Sequence, residues 1–312
     1  MPTLSLVVPC YNEAATIPIF HRAVADIQHA IPAALEFRFV NDGSTDDTLA
    51  VLKQLREQDP RVHYISFSRN FGKEAALLAG LEAATGDFVV TMDVDLQDPP
   101  ALLPDMWRII TQGDEHGRRY DCVATRRCSR TGEPPVRTFF ARMFYRIINH
   151  ISDTAIVDGA RDYRFMSRKM IDAILSDKEY NRFSKGIFSW VGFKTRWLAY
   201  ENVERSAGES KWSFVKLFKY SIEGILAYST MPLYMTSWLG LAMCACSFLA
   251  FAFVVVRALI FGDAVAGWPS LVSIIVFLNG LVLLSLGIIG LYISKIYLET
   301  KKRPIYIVDE QA

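Results

Sequence analysis

The stretch Phe88-Val-Val-Thr-Met-Asp93-Val94-Asp95-Leu-Gln97-Asp98-Pro-Pro100 drives an apolar strand directly into two carboxylates one residue apart. Side chains on an extended segment alternate sides, so Asp93 and Asp95 aim at one point while Val94 stays with the fold. Hard oxygen ligands of this kind suit Mg²⁺ or Mn²⁺. Such ions take one or two carboxylates from protein and leave the rest to water and substrate phosphates. An Asp-x-Asp pair at a strand end is also ordinary turn chemistry, so its meaning rests on what surrounds it.

Upstream, strand and helix patterns alternate. Leu4 to Pro9 reads as a strand, Thr16 to His29 as a helix, Glu36 to Val40 as a strand, and the segment through Gln58 as a helix with Ser44, Asp46 or Asp47 at its N-cap. Val62 to Phe67, Lys73 to Ala84 and Phe88 to Met92 continue the alternation. This order predicts a Rossmann-like α/β domain with a mostly parallel sheet, whose ligands bind beyond the carboxyl ends of the strands. Polar clusters fall at those ends: Pro9 to Glu13, Asn41 to Ser44, Ser68 to Lys73, and Asp93 to Asp98. No Gly-rich phosphate loop is present, so a nucleotide would be held by carboxylates, an aromatic such as Tyr11, and a metal.

The second half has a different solvent. Gly224 to Val256 and Ala264 to Ser294 contain no Asp, Glu, Lys or Arg, and either run exceeds the roughly 20 apolar residues that cross a bilayer. Two transmembrane helices are expected, at about 233–256 and 271–293, within a hairpin of 232–298. Lys and Arg flank the hairpin's outer ends, at Arg205, Lys211, Lys216 and Lys219 and again at Lys295, Lys301, Lys302 and Arg303, so both termini and the 1–205 domain are expected in the cytoplasm. Trp212 to Leu226 interleaves aromatics and lysines at helical spacing, predicting an interfacial amphipathic helix within 206–231. Residues 299–312 are left as a cytoplasmic tail. The N-terminus shows no signal peptide, and the five cysteines form neither a disulfide framework nor a zinc spacing, as in a reducing compartment. A formal net charge of +1 argues against nucleic acid as partner.

Val8-Pro9-x-Tyr11-Asn12-Glu13, Asn41-Asp42-Gly43-Ser44-Thr45-Asp46 and Asp93-x-Asp95-x-Gln97-Asp98-Pro99, followed by two apolar helices, resemble the inverting family 2 glycosyltransferases of the GT-A fold. Asn181 to Phe193 and Ala207 to Trp212 resemble the polyprenyl-phosphate group, that of dolichol-phosphate mannose synthase and bactoprenol glucosyltransferase. The resemblance implies that Pro9, Tyr11, Glu13, Val40 and Asp42, with Lys73, Asp93 and Val94, line the nucleotide-sugar site. It implies that Asp93, Asp95 and Gln97 hold Mg²⁺ or Mn²⁺, and that Asp95 and Asp162 are catalytic, although Asp158 also fits the Asp162 position. Arg126, Arg137, Arg205, Ser210 and Lys211 become candidates for phosphate contacts. Asn41 replaces the family's more usual first Asp.

The function implied is inverting transfer of one sugar, from UDP-glucose or a related UDP-sugar, to undecaprenyl phosphate at the cytoplasmic face of a bacterial-type inner membrane, with a homo-oligomer implied by resemblance alone. A GDP-mannose donor is the alternative. A processive polysaccharide synthase is disfavoured because Lys194-Thr-Arg196-Trp197 lacks the Gln of a Gln-x-x-Arg-Trp motif, and a non-enzymatic scaffold because both metal carboxylates are intact.

Overall fold

The structure, a computed structural model, describes residues 1–127, 157, 159–201, 229–261 and 268–312. The expected interfacial helix, Asp158, Arg137, Arg205, Ser210 and Lys211 lie outside the described residues.

The chain begins β1 (Thr3–Cys10), α1 (Ile17–Ile27), β2 (Ala34–Asn41), α2 (Thr48–Gln58), β3 (Val62–Phe67), α3 (Lys73–Ala83) and β4 (Phe88–Thr91). β1 pairs in parallel with β2 and with β4, and β2 with β3. The first three strands therefore step outward in one direction and β4 returns to the other side of β1. That reversal opens a crevice at the carboxyl ends of β1 and β4. Both strands are apolar almost throughout because helices cover both faces of the sheet. One layer packs Phe20, Leu52 and Met106, from α1, α2 and α4 (Leu103–Gln112), over Phe37, Phe39 and Val90. The opposite layer uses Leu81 of α3 with α5 (Arg168–Ser176) and α6 (Ser184–Trp190).

Three further strands, β5 (Cys122–Arg127), β6 (Ala160–Ser167) and β7 (Thr195–Tyr200), complete the β4 side. β6 runs antiparallel to both β4 and β5, and β7 pairs in parallel with β5. The eight-stranded sheet has the order β7-β5-β6-β4-β1-β2-β3-β8. It is thus the mostly parallel α/β sheet read from the sequence, with β6 and β8 reversed.

Two long helices follow, α7 (Met231–Phe261) and α8 (Trp268–Thr300). Both outrun the windows expected for the spans, because Arg257, Lys295 and Glu299 continue a helix readily even though they end an apolar run. Among the described residues one segment, Phe277–Thr300, is long and apolar enough to cross a membrane. The Tyr292 hydroxyl near the end of α8 donates to the carbonyl of Ser229, just before α7, at 2.6 Å, so the end of one helix meets the start of the other.

Residues 299–312, expected as a tail, return to the sheet. β8 (Val308–Gln311) pairs antiparallel with the edge strand β3. Tyr306 stacks on Phe67 with ring centroids 4.9 Å apart, and Glu310 accepts from Tyr64 at 2.5 Å and from Lys53 at 2.7 Å.

Candidate active site

Each polar cluster at a strand end is held by backbone geometry. Gly43 sits at φ +61°, and a Cβ there would lie 2.2 Å from the carbonyl carbon of Arg69, so only glycine lets the β2 loop touch the β3 loop. Asp42 completes that junction by accepting from the amides of Phe71 at 2.7 Å and Gly72 at 3.0 Å. Burial pushes its pKa up, and these two amides act against that rise. The β1 loop is tied to the same turn, where Asn12 N donates to Ser44 Oγ at 2.9 Å and Thr45 N to Asn12 Oδ1 at 2.8 Å. Asp47 takes the N-cap position of α2 without a side-chain cap bond, and Asp46 before it accepts from Thr48 N at 3.1 Å. Asn41, the departure from the family pattern, donates to Ser66 and accepts from Ser44 N at 3.1 Å, a structural use that needs no charge.

After β4 the chain turns sharply. Gln97 N donates to Asp95 Oδ1 at 3.1 Å, and Leu96 takes a left-handed φ of 56° that a branched residue rarely adopts. The turn leaves Asp95 buried and Asp93 partly exposed at the crevice.

The centre of the site is an ion cluster. Lys73, the first residue of α3, places its Nζ 2.6 Å from Asp93 Oδ1 and 2.6 Å from Asp162 Oδ2 on β6. Burial favours the neutral amine, but the Asp162 and Asp93 carboxylates outweigh it and hold the Lys73 pKa above its usual value. Burial likewise opposes the Asp162 charge, yet Lys73, with Lys185 and Arg161 adding to it, holds that carboxyl well below the usual range. Behind this pair, Arg161 lies 3.7 Å from Asp93 and donates from Nε to the wholly buried Asp98 at 2.9 Å. The Tyr200 hydroxyl also donates to Asp98, and burial together with that carboxylate pushes the phenol pKa up to about 12.

The structure thus brings together Asp93, Asp95, Lys73 and Asp162 from the sequence expectations, with Tyr11 and Glu13 at the β1 end and Val40 and Asp42 at the β2 end. Pro9 and Val40 are paired in register on adjacent strands, and Val94 is buried in the core. Gln97, expected on the metal, accepts from Arg127 Nη2 at 3.0 Å. Arg126, expected to contact phosphate, is exposed, whereas Arg127 reaches the Asp93–Asp98 turn. Strand alternation alone separates the two neighbours. Arg161, Asp98, Arg127, Tyr200 and Lys185 were not picked out as site residues. The one available signal was Asp98, three residues beyond Asp95.

Among the described residues no group of three or more His, Cys, Asp or Glu side chains is gathered to hold an ion unaided. The donor set fits a cation that takes one or two carboxylates and completes its shell with water and a diphosphate.

Residues 5–175 match the family described as Glycosyl transferase family 2. The chain belongs to glycosyl transferase family 2. It is therefore an enzyme, a glycosyltransferase, and end-to-end relatives set it in the polyprenyl-phosphate group. It is 41% identical over 305 residues to the prophage bactoprenol glucosyl transferase homolog of Escherichia coli (strain K12), covering 98% of each chain. It is 41% identical over 308 residues to the bactoprenol glucosyl transferase of Shigella phage SfV, covering 99% of this chain and 98% of that one. It is 43% identical over 307 residues to CsbB of Bacillus subtilis (strain 168), which is provisionally named a glycosyltransferase, covering 98% of this chain and 91% of that one.

Proposed function

We propose that this glycosyltransferase moves one sugar, with inversion, from UDP-glucose or a related UDP-sugar to polyprenyl phosphate, undecaprenyl phosphate in a bacterial membrane, at the cytoplasmic face. The observation that carries the reading is the Asp93–Lys73–Asp162 cluster at the β1/β4 crevice. It stands in a chain that matches bactoprenol glucosyl transferases over nearly its whole length.

In this reading the acceptor phosphate oxygen forms a bond to the sugar's anomeric carbon as the bond from that carbon to the nucleoside diphosphate breaks. A divalent cation on Asp93 and Asp95 supplies charge neutralisation for the departing diphosphate. Gln97 is the third ligand in this scheme, its Oε1 keeping a second lone pair beside the bond from Arg127. The acceptor needs no strong base, because a phosphate monoester with a second pKa near 6 is largely dianionic at pH 7. Asp162 matches that requirement, since a carboxyl held low by Lys73 has little affinity for a proton. Its work is electrostatic and orienting, with Lys73 fixing its position. Tyr11, Glu13 and Asp42, at the carboxyl ends of β1 and β2, are the side chains assigned to the base and ribose in this reading. Arg205, Ser210 and Lys211, with Arg126 and Arg137, remain the proposed contacts to acceptor phosphate.

The membrane arrangement is part of the proposal. Helices α7 and α8 make a two-span hairpin. The Ser229–Tyr292 contact and the return of β8 to β3 support a catalytic domain and both termini on one side. The excess of Lys and Arg at the hairpin's outer ends makes that side cytoplasmic.

The test is purified protein in detergent with undecaprenyl phosphate, Mn²⁺ or Mg²⁺ and a panel of UDP- and GDP-sugars, with the anomeric configuration of the product read by NMR. One UDP-sugar giving an inverted lipid-linked product is expected. A retained configuration, or GDP-mannose as the sole donor, would contradict the assignment.

A further inference from the structure

The end of α8 and the strand that follows it touch the catalytic domain at two separate places. Lys295 and Glu299, one helical turn apart on one face, enclose Asn181. Glu299 accepts from the amides of Tyr180 at 2.9 Å and Asn181 at 3.1 Å, and from the Asn181 side chain at 3.1 Å, while Lys295 Nζ donates to Asn181 Oδ1 at 3.1 Å. These two amides open the turn into α6. Three residues after Asn181, Ser184 donates its amide to Glu74 at 2.9 Å, and its hydroxyl donates to the same carboxylate. Glu74 is the neighbour of Lys73, and Lys185 on α6 is one of the charges that hold Asp162 ionised. The second place is β8, which pairs with β3 at the far edge of the sheet and is reinforced by Tyr306 on Phe67.

A single contact would leave the domain free to turn about it, whereas two separate contacts, one at the turn into α6 and one at the β3 edge of the sheet, fix an orientation. We infer that the end of α8 and β8 together form a two-point mount that sets the height and tilt of the sugar-transfer centre relative to the apolar helices, and that Glu299 is a positioning residue for attack by a membrane-held acceptor. The inference rests on the lipid-phosphate reading above. Glu299 touches neither donor nor reacting atoms. Its effect reaches Lys73 and Asp162 through α6, and a displacement of about 1 Å at a reacting centre can cost a hundredfold in rate.

The test compares Glu299→Ala and Glu299→Gln with the wild type in lipid nanodiscs containing undecaprenyl phosphate. Hydrogen exchange at the Tyr180 and Asn181 amides is measured beside sugar transfer to lipid, donor affinity, and hydrolysis of the nucleotide sugar by water. Glu299→Ala is expected to expose both amides and to slow transfer to lipid by about ten- to a hundredfold. Donor affinity and hydrolysis should hold, and Glu299→Gln, which keeps an acceptor oxygen, should recover most of the loss. Exposed amides with full lipid transfer would overturn the positioning role, as would donor affinity falling by the same factor as transfer. If the wild type transfers to no lipid phosphate, the acceptor assignment fails. Amide exchange then still judges the mount, and unchanged exchange in Glu299→Ala overturns it.

Discussion

Asp98→Asn tests the buried support beneath the Asp93–Asp95 turn. Asp98 is wholly buried and accepts from Arg161 Nε at 2.9 Å, Arg161 Nη2 at 3.4 Å and the Tyr200 hydroxyl. Burial opposes the Arg161 charge, but Asp98 and then Asp93 hold its pKa above the usual value. Amide replacement keeps the shape, removes the charge, and turns one acceptor into a donor that faces other donors. Breaking a buried pair by removing one partner costs about 3–5 kcal/mol, whereas replacing both partners with apolar groups is often near neutral. At roughly 2–4 °C per kcal/mol for a domain of this size, the single variant should lose about 6–20 °C of Tm. The double variant Asp98→Asn/Arg161→Met should regain most of it. A second effect follows from geometry: the released guanidinium keeps Asp93 as its carboxylate partner, 3.7 Å away in the native arrangement, and competes there with a cation. Thermal unfolding by circular dichroism and Mn²⁺ titration by isothermal calorimetry measure the two effects. A loss below about 1 kcal/mol, or a double variant whose losses simply add, would refute the reasoning.

Asp95→Asn should lower sugar transfer by about a hundred- to a thousandfold with an unchanged far-UV spectrum, and near wild-type turnover at high Mn²⁺ would contradict a metal role. A reporter fused after Ala312 should read cytoplasmic and one inserted at Asp263 external, with the opposite pair of signals overturning the topology. Asp59 is held below the usual carboxylate range chiefly by its hydrogen bonds to Arg61, against burial, with His21 2.9 Å away adding to the effect. A depressed carboxylate stabilises the fold above its unfolded pKa of about 4 and loses that contribution as pH falls below it. Thermal stability should therefore drop between pH 5 and pH 3, and Asp59→Asn should be less stable at pH 6 with a shallower drop. Parallel pH profiles for the two proteins would exclude this origin.

The β1 to β4 half of the sheet was legible because its strands are mostly apolar and buried, broken only by isolated polar residues such as Glu36, Arg38 and His63, and each runs into a polar cluster containing Asn or Asp. β6 was not legible. It carries three charges within four residues, Arg161, Asp162 and Arg164, which hide its apolar alternation, and the fold accommodates them through contacts far apart in sequence. Arg164, 1% exposed, lies with its guanidinium 4.5 Å from the Phe188 ring and 5.2 Å from that of Trp197. β8 is short, polar and at an edge, so nothing in Val308–Gln311 distinguishes it from a tail until β3 offers a partner. At the site, Asp93, Asp95 and Lys73 were readable from their places at strand ends. That Arg127 and not Arg126 reaches the Asp93–Asp98 turn depends on which face of β5 meets that turn, a matter of register that spacing alone does not fix.

The acceptor is the central claim, and its most direct measurement is a single-turnover reaction of the purified enzyme with radiolabelled UDP-glucose and Mn²⁺. The reaction is offered in turn undecaprenyl phosphate, undecaprenol without its phosphate, and a soluble sugar. Label should pass into the organic phase as a lipid carrying one glucose with undecaprenyl phosphate alone. Transfer to undecaprenol or to the soluble sugar at a comparable rate, or growth of a polymer without lipid phosphate, would contradict it.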